Sequence, residues 1–151
     1  MGLSVLRAFA AVLGGAVVVA ALVLVGVAWQ RAQAASVKAG VSIVDGDTFD
    51  YGGKRFRVFE LDAPDQKPHA KCDAEAALYA ASKAHAQRLV AVAQSAEIRP
   101  TGRVQPATER YRERVEARLF LDGRNFTDLM VEHGHGKYTG AGGWCETPTG
   151  G

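Results

Sequence analysis

Asp45-Gly46-Asp47-Thr48 and, ten residues on, Arg57 with Asp62-Ala63-Pro64-Asp65 place two acidic clusters on either side of one apolar strand. Asp-Gly between β-formers is a hairpin signal, because Gly tolerates positive φ and Asp closes a turn through its side chain. Asp-Ala-Pro then ends the next strand, since Pro cannot continue a ladder and holds the preceding residue extended. Pairing of these segments brings Asp47 and Asp62 to one end of a sheet. Two converging carboxylates with carbonyls nearby suit a hard divalent cation such as Ca²⁺. Turns and strand ends also collect Asp for local reasons, and it is the pair of clusters that points to chemistry.

The same residues resemble the thermonuclease, or staphylococcal nuclease-like, family, whose pattern is D-G-D-T, then R-x-x-x-x-D-[TA]-P-E, then Y-G-R before a strand and an Asp-Gly turn. Asp45 to Thr48 matches the first part. Arg57 and Asp62-Ala63-Pro64 match the second, with Asp65 in place of the final Glu. The third part is Tyr111-Arg112-Glu113-Arg114, one residue longer and without the glycine. The resemblance spans about Val41 to Tyr138. It implies an OB-fold, a five-stranded β-barrel with packed helices, and Ca²⁺-dependent hydrolysis of phosphodiester bonds in DNA or RNA.

By that resemblance Asp47, Asp62 and the Ala63 carbonyl hold Ca²⁺, while Arg57 and a second arginine bind the phosphoryl oxygens. Counting back from Asp122-Gly123 assigns the second role to Arg114; counting forward from Tyr111 lands on Glu113, with Arg112 the fallback. Arg110, Tyr111 and Arg112 are expected on the substrate side. Asp65 takes the place of the residue that orients or deprotonates water. Its stem is one methylene shorter, which withdraws the carboxylate by roughly 1.5 Å, and a misplacement of about 1 Å can cost on the order of 10²-fold in rate. A slow nuclease is the expectation. Asp45 is read as a turn-forming residue or a carboxylate behind the ligands.

These residues need positioning elements. Short strands are expected at Val41–Val44, Phe49–Tyr51 and Lys54–Leu61. A helix is expected over Asp73–Ala93, capped by Asp73, with an apolar stripe of Ala77, Ala81, Ala84, Leu89 and Val92. A strand Ala96–Arg99 closed by Pro100 precedes a polar loop Thr101–Glu109. A half-buried strand Val115–Leu121 leads to a short helix with Thr127 at its N-cap and Gly134 after it. Pattern alone gives the α+β class.

Ahead of this domain, Ala8–Ala28 is an uninterrupted apolar run flanked by Arg7 and Arg31, long enough to span a bilayer. An uncleaved anchor is the favoured reading. Cleavage after Ala32-Gln33-Ala34 as a signal peptide is the other. Residues 1–34 are therefore taken as anchor or signal, 35–40 as a linker, 41–140 as the nuclease-like domain and 141–151 as a tail. Either way the domain is expected outside the cytoplasm, membrane-anchored or secreted.

Arg7 and Arg31 account for the net charge of +2, so the domain is balanced and has no general basic coat. Its local patch is Arg99, Arg103, Arg110, Arg112, Arg114 and Arg118. Cys72 and Cys145 fit one disulfide in an oxidising compartment, with Trp144 packed beside it as a lid. His69, Cys72, His133, His135 and Cys145 match no compact zinc-ligand spacing. Two further readings stand beside the nuclease: a non-hydrolytic OB-fold module gripping single-stranded nucleic acid, and an exported structural or adaptor domain.

Overall fold

The computed structural model describes residues 2–109 and 111–145, with side chains from residue 18 onward. Arg110 and residues 146–151 of the expected tail lie outside the described residues. Two compact units make up the chain, Met1–Ala34 and Ala35–Gly151.

The first helix, α1, runs Gly2–Gly40. Its segment Val18–Gly40 is long and apolar enough, by length and composition, to cross a membrane. The helix does not stop before residues 35–40, where a linker was expected. Gln, Arg, Ala and Lys are good helix formers and no proline interrupts them, so helical propensity carries the chain on to Gly40. Within the second unit, Val37 and Val41 pack on the core and Lys38 donates to the Ala91 carbonyl.

That unit is α+β, with a curled half-barrel sheet. Strands β1 (Ser42–Asp45), β2 (Thr48–Tyr51) and β3 (Lys54–Val58) form consecutive hairpins. The strands β5 (Ala96–Gln105) and β6 (Arg114–Leu121) form a long antiparallel pair, and β6 joins β3 in parallel, giving the order β1-β2-β3-β6-β5. A two-residue strand β7 (Arg124–Asn125) extends β6. Outside this sheet, β4 (Leu61–Asp62) pairs with β8 (Lys137–Tyr138). Helix α2 spans Asp73–Val92 and α3 spans Phe126–Glu132.

The core forms where the inward positions of the strands meet both helices. Along β6 the residues Ala117, Leu119 and Leu121 are buried at every second position. Phe49 and Phe56 stack at 5.1 Å across the β2–β3 pair. Ala86 and Val90 of α2 and Phe126, Leu129 and Met130 of α3 close the core.

Several expected boundaries move, each for a local reason. The single strand expected over Lys54–Leu61 is two, because the chain turns at Phe59–Glu60, where Glu60 takes φ 60°. Thr127 Oγ1 donates to the Phe59 carbonyl at 3.0 Å and holds that turn. Strand β5 runs through Pro100 to Gln105 instead of ending there. Its register shifts between Pro100 and Val104, an irregularity of the kind that lets a strand keep a proline. Cys72, not Asp73, is the N-cap of α2, and Asn125, not Thr127, caps α3 by accepting from the Thr127 N–H at 3.0 Å.

Helix α2 buries Glu75, Ser82, Ala86 and Val90, and leaves Val92 exposed. Of the expected apolar stripe, Leu89 packs against the core and Ala84 is half-buried, while Ala77, Ala81 and Val92 are exposed. An alanine-rich helix has little hydrophobic contrast between its faces, and here the inner face includes two polar residues with fixed partners. Glu75 accepts from the Asp65 and Lys71 N–H groups, and Ser82 donates to the His135 carbonyl.

Candidate functional site

Asp47 sits in the turn between β1 and β2, with its carboxylate pointing inward and buried. Gly46 makes this possible, through close approach and not through positive φ. A Cβ there would run into Ser82 Oγ and the Ala63 Cβ, so only glycine lets the turn lie against α2 and the Ala63 segment. Asp47 Oδ2 accepts from the Ala63 N–H at 3.0 Å, Oδ1 accepts from Thr48 Oγ1 at 3.0 Å, and Oδ1 also pairs with Arg57 Nη1. The two acidic clusters are thus joined directly.

Arg57 lies between the two aspartates. Its Nη2 donates to the Leu61 carbonyl at 3.2 Å and lies 3.9 Å from Asp62 Oδ1. The turn at Phe59–Glu60 brings Asp62 back beside it. Asp62 is half-buried, and its other oxygen accepts from Trp144 Nε1 at 2.9 Å. Trp144, expected only to pack as a lid, instead makes a polar contact with this carboxylate, and Lys137 Nζ lies 4.7 Å from its ring. The Cys72–Cys145 disulfide, with Cα atoms 5.9 Å apart, fastens the segment carrying Trp144 to the start of α2.

Electrostatically the cluster is starved of positive charge. Burial raises Asp47 to about 7, with Asp45 adding to the rise and Arg57 only partly opposing it. Asp65 is raised as well, by burial first and then by Glu75 and Asp45, against Arg57 and His69. Asp45 and Asp47 interact carboxyl to carboxyl, and Asp45 Oδ1 is buried without a hydrogen-bond partner. A crowded, partly orphaned set of hard carboxylate oxygens is chemically suited to a divalent cation such as Ca²⁺. Asp47 and Asp62 both face Arg57, but the carboxylates of Asp45, Asp47 and Asp62 do not bring three oxygens within 4.8 Å of one another.

On the other side of Asp45 the surface opens into a cleft of about 110 Å³ lined by Val44, Asp45, Thr48, Arg55, Tyr111, Arg112 and Arg114. Arg114 begins β6 and lies 4.4 Å from the Tyr111 ring, with its Nε buried and unpartnered. His69 contacts Tyr111 with ring centroids at 5.5 Å, tying the loop after Asp65 to the cleft. The site is therefore continuous. The arginine–tyrosine cleft meets Asp45, Asp45 meets Asp47, and Asp47 meets Arg57 and the segment leading to Asp65.

Other members of the expected basic patch point elsewhere. Arg99 pairs with Glu97 and lies over Phe120, and Arg118 lies over Phe59. Two residues of the site were underweighted in the sequence. Asp45 supplies an orphaned carboxylate where a turn-forming role was expected. Glu75 is buried and anchors the Asp65 backbone at 3.3 Å. Its signal was legible as Cys72-x-x-Glu75, the spacing by which a carboxylate at the third helical position reaches back to N–H groups before the helix.

Among the described residues, the one trio of ligand-type atoms within 4.8 Å of one another is Cys72, Glu75 and Cys145. Its two sulfurs are bonded to each other, so it offers no thiolate to a metal. Set against models of known protein families and against curated proteins, the chain matches none.

Proposed function

We propose that the chain is a staphylococcal nuclease-like phosphodiesterase that hydrolyses DNA or RNA with Ca²⁺, on an OB-type barrel. The observation that carries this reading is the carboxyl pair of buried Asp47 and half-buried Asp45, joined to Arg57 on one side and opening onto the Arg112–Arg114–Tyr111 cleft on the other. The sheet order β1-β2-β3-β6-β5, with one parallel pair, supports the barrel.

In this reading the scissile phosphate lies between the carboxylates and the arginines. The bound cation supplies Lewis-acid neutralisation of phosphoryl charge. Arg57 and Arg114 donate to the phosphoryl oxygens, whose charge must be stabilised in the transition state. The unpartnered Nε of Arg114 is a donor awaiting such an acceptor. Tyr111 offers a base a ring to stack on, and Arg112 steers the backbone. Asp65 orients water and accepts its proton. Its raised affinity for protons, set by burial and neighbouring carboxylates, improves it as a base while its short stem costs reach.

The apolar part of α1 serves as a signal anchor or signal peptide, and the disulfide fits an oxidising compartment. The domain then acts outside the cytoplasm, tethered or released.

The test is cleavage of denatured DNA by the purified chain in Ca²⁺ and in EDTA. Cleavage that requires Ca²⁺ and is lost in Asp47→Ala supports the reading; Ca²⁺-independent cleavage, or activity untouched by Asp47→Ala, overturns it. The short stem of Asp65 favours a second reading, a non-hydrolytic module for single-stranded nucleic acid. For that module, salt-sensitive binding without cleavage is expected even in Asp65→Glu.

A further inference from the structure

After β8 the chain returns over Asp62, and the proposed cleavage gives that return no role. Across the β4–β8 pair Lys137 lies opposite Asp62. The Thr139 N–H then donates to the Glu60 carbonyl at 3.0 Å, and residues 139–145 run back as a strap. Three contacts hold it. Trp144 Nε1 donates to Asp62 Oδ2 at 2.9 Å. Lys137 Nζ donates to the Gly143 carbonyl at 2.6 Å and lies 4.7 Å from the centre of the Trp144 ring. One side chain thus fixes the strap backbone and faces the indole as a cation. Cys145, next in sequence, is bonded to Cys72.

The other end of the disulfide also touches the site. Cys72 Sγ accepts from the Glu75 N–H at 3.4 Å, and Cys145 Sγ lies 3.9 Å from Glu75 Oε2. Buried Glu75 in turn accepts from the Asp65 N–H at 3.3 Å. One covalent bond therefore joins the segment that holds Asp62 to the residue that holds the Asp65 backbone. Asp62 needs such a hold. Its Oδ1 is 3.9 Å from Arg57 Nη2, too long for a hydrogen bond, and Arg57 is already committed to Asp47 and the Leu61 carbonyl. An indole N–H only donates, so Trp144 occupies Oδ2 and leaves Oδ1 turned toward the arginine.

We propose that Trp144 is a positioning residue for the cleavage: its indole N–H fixes the Asp62 carboxylate beside Arg57, and the Cys72–Cys145 disulfide keeps it there. The role of Asp62 in this inference rests on the phosphodiesterase reading. The site is then sensitive to thiols. A dithiol delivers two electrons and two protons to the disulfide, leaving two cysteine thiols and its own cyclic disulfide. The strap then keeps only Lys137 as its anchor, and the indole leaves the carboxylate.

The test pairs nuclear magnetic resonance of the ¹⁵N-labelled full chain in detergent with kinetics on denatured DNA in Ca²⁺. Two indole N–H signals are expected, from Trp29 and Trp144, and Trp144→Phe identifies the second. That signal should exchange slowly with water in the parent, and fast in Asp62→Ala or after dithiothreitol. Trp144→Phe keeps a ring and loses the donor. Its kcat should fall on the order of 10²-fold, the cost of about 1 Å of misplacement, with KM little changed. Reduction should cost the parent a similar factor and add little in Trp144→Phe, because both remove one interaction. A disulfide with a merely structural role would slow both chains alike. Trp144→Phe with its disulfide intact remains informative if the reduced chain unfolds. An indole signal unmoved by reduction or by Asp62→Ala, an undiminished kcat in Trp144→Phe, or additive losses would each overturn the proposal. A parent that does not cleave overturns the phosphodiesterase reading and this role with it, whereas failure of the indole or additivity tests alone overturns only the positioning.

Discussion

The β2–β3 hairpin carries an arginine–aspartate pair near each end. At the outer end Asp50 and Arg55 face each other in register and make two parallel bonds, both 2.9 Å, at a partly solvated surface. The Arg55 hydrogen bond dominates there and holds Asp50 below its ordinary range. At the inner end Arg57 pairs with Asp47, yet Asp47 is raised, because burial outweighs the arginine and Asp45 adds a second negative charge. The same two residue types at the two ends of one hairpin shift their aspartates in opposite directions. An arginine alone does not decide the charge of its aspartate; water and the next carboxylate do. The inner end is left short of positive charge, and that shortage is what makes it the candidate site.

The largest effect should come from removing the inner arginine. Arg57→Ala is expected to lower Ca²⁺-dependent cleavage by about 10²- to 10³-fold, the usual cost of one transition-state donor. Steady-state rates on denatured DNA would measure it, and a loss of less than tenfold would make the inner pair as ordinary as the outer one.

Next in size is the response to pH without calcium. Asp47 binds its proton more tightly folded, at about 7, than at its ordinary 3.8, so the folded state holds an extra proton between those values. Its contribution to stability therefore falls as pH rises through that window, and Asp65 acts in the same direction. Asp50 is depressed, so its contribution is present above 3.8 and is lost only as pH falls through its folded value. In melts with chelator, Asp47→Asn should gain stability over the parent at pH 8 and not at pH 4. A gain confined to pH 4 would reverse the assignment.

A smaller change is expected behind the inner end. Glu75→Ala leaves the part-buried Asp65 and Lys71 N–H groups without their acceptor, a loss of about 1 kcal/mol per hydrogen bond. Denaturant unfolding would read the stability, and faster amide exchange at Asp65 and Lys71 would show where the loss falls. The smallest effect belongs to the outer pair, where a double-mutant cycle on Asp50 and Arg55 should give a coupling of no more than about 1 kcal/mol. A larger coupling would mean that the outer pair is shielded from water as the inner one is.

Much of the scaffold was legible along the chain. The hairpins, the alternation along β6 and the long helix followed from turn residues, period-two burial and helical propensity, all of which act between near neighbours. Asp47, Arg57 and Asp62 stood out because two short motifs frame one strand. Where the inner face of α2 lies was not legible. Ser82 is polar, and only its bond to the His135 carbonyl, 53 residues on, makes it a buried residue. The bond from Trp144 to Asp62 was hidden for the same reason, since the two are 82 residues apart and neither has a local reason to meet the other.

The sequence by itself determined which groups can ionise, which turns can close and where the apolar span lies, because these depend on side-chain chemistry and nearest neighbours. Only the tertiary structure decided which aspartate is stripped of water and faced by another. It also decided which glycine is needed for close approach and which nitrogens lack partners. Desolvation and pairing depend on what the rest of the chain packs against a residue, and that is settled by long-range contacts the linear order does not contain.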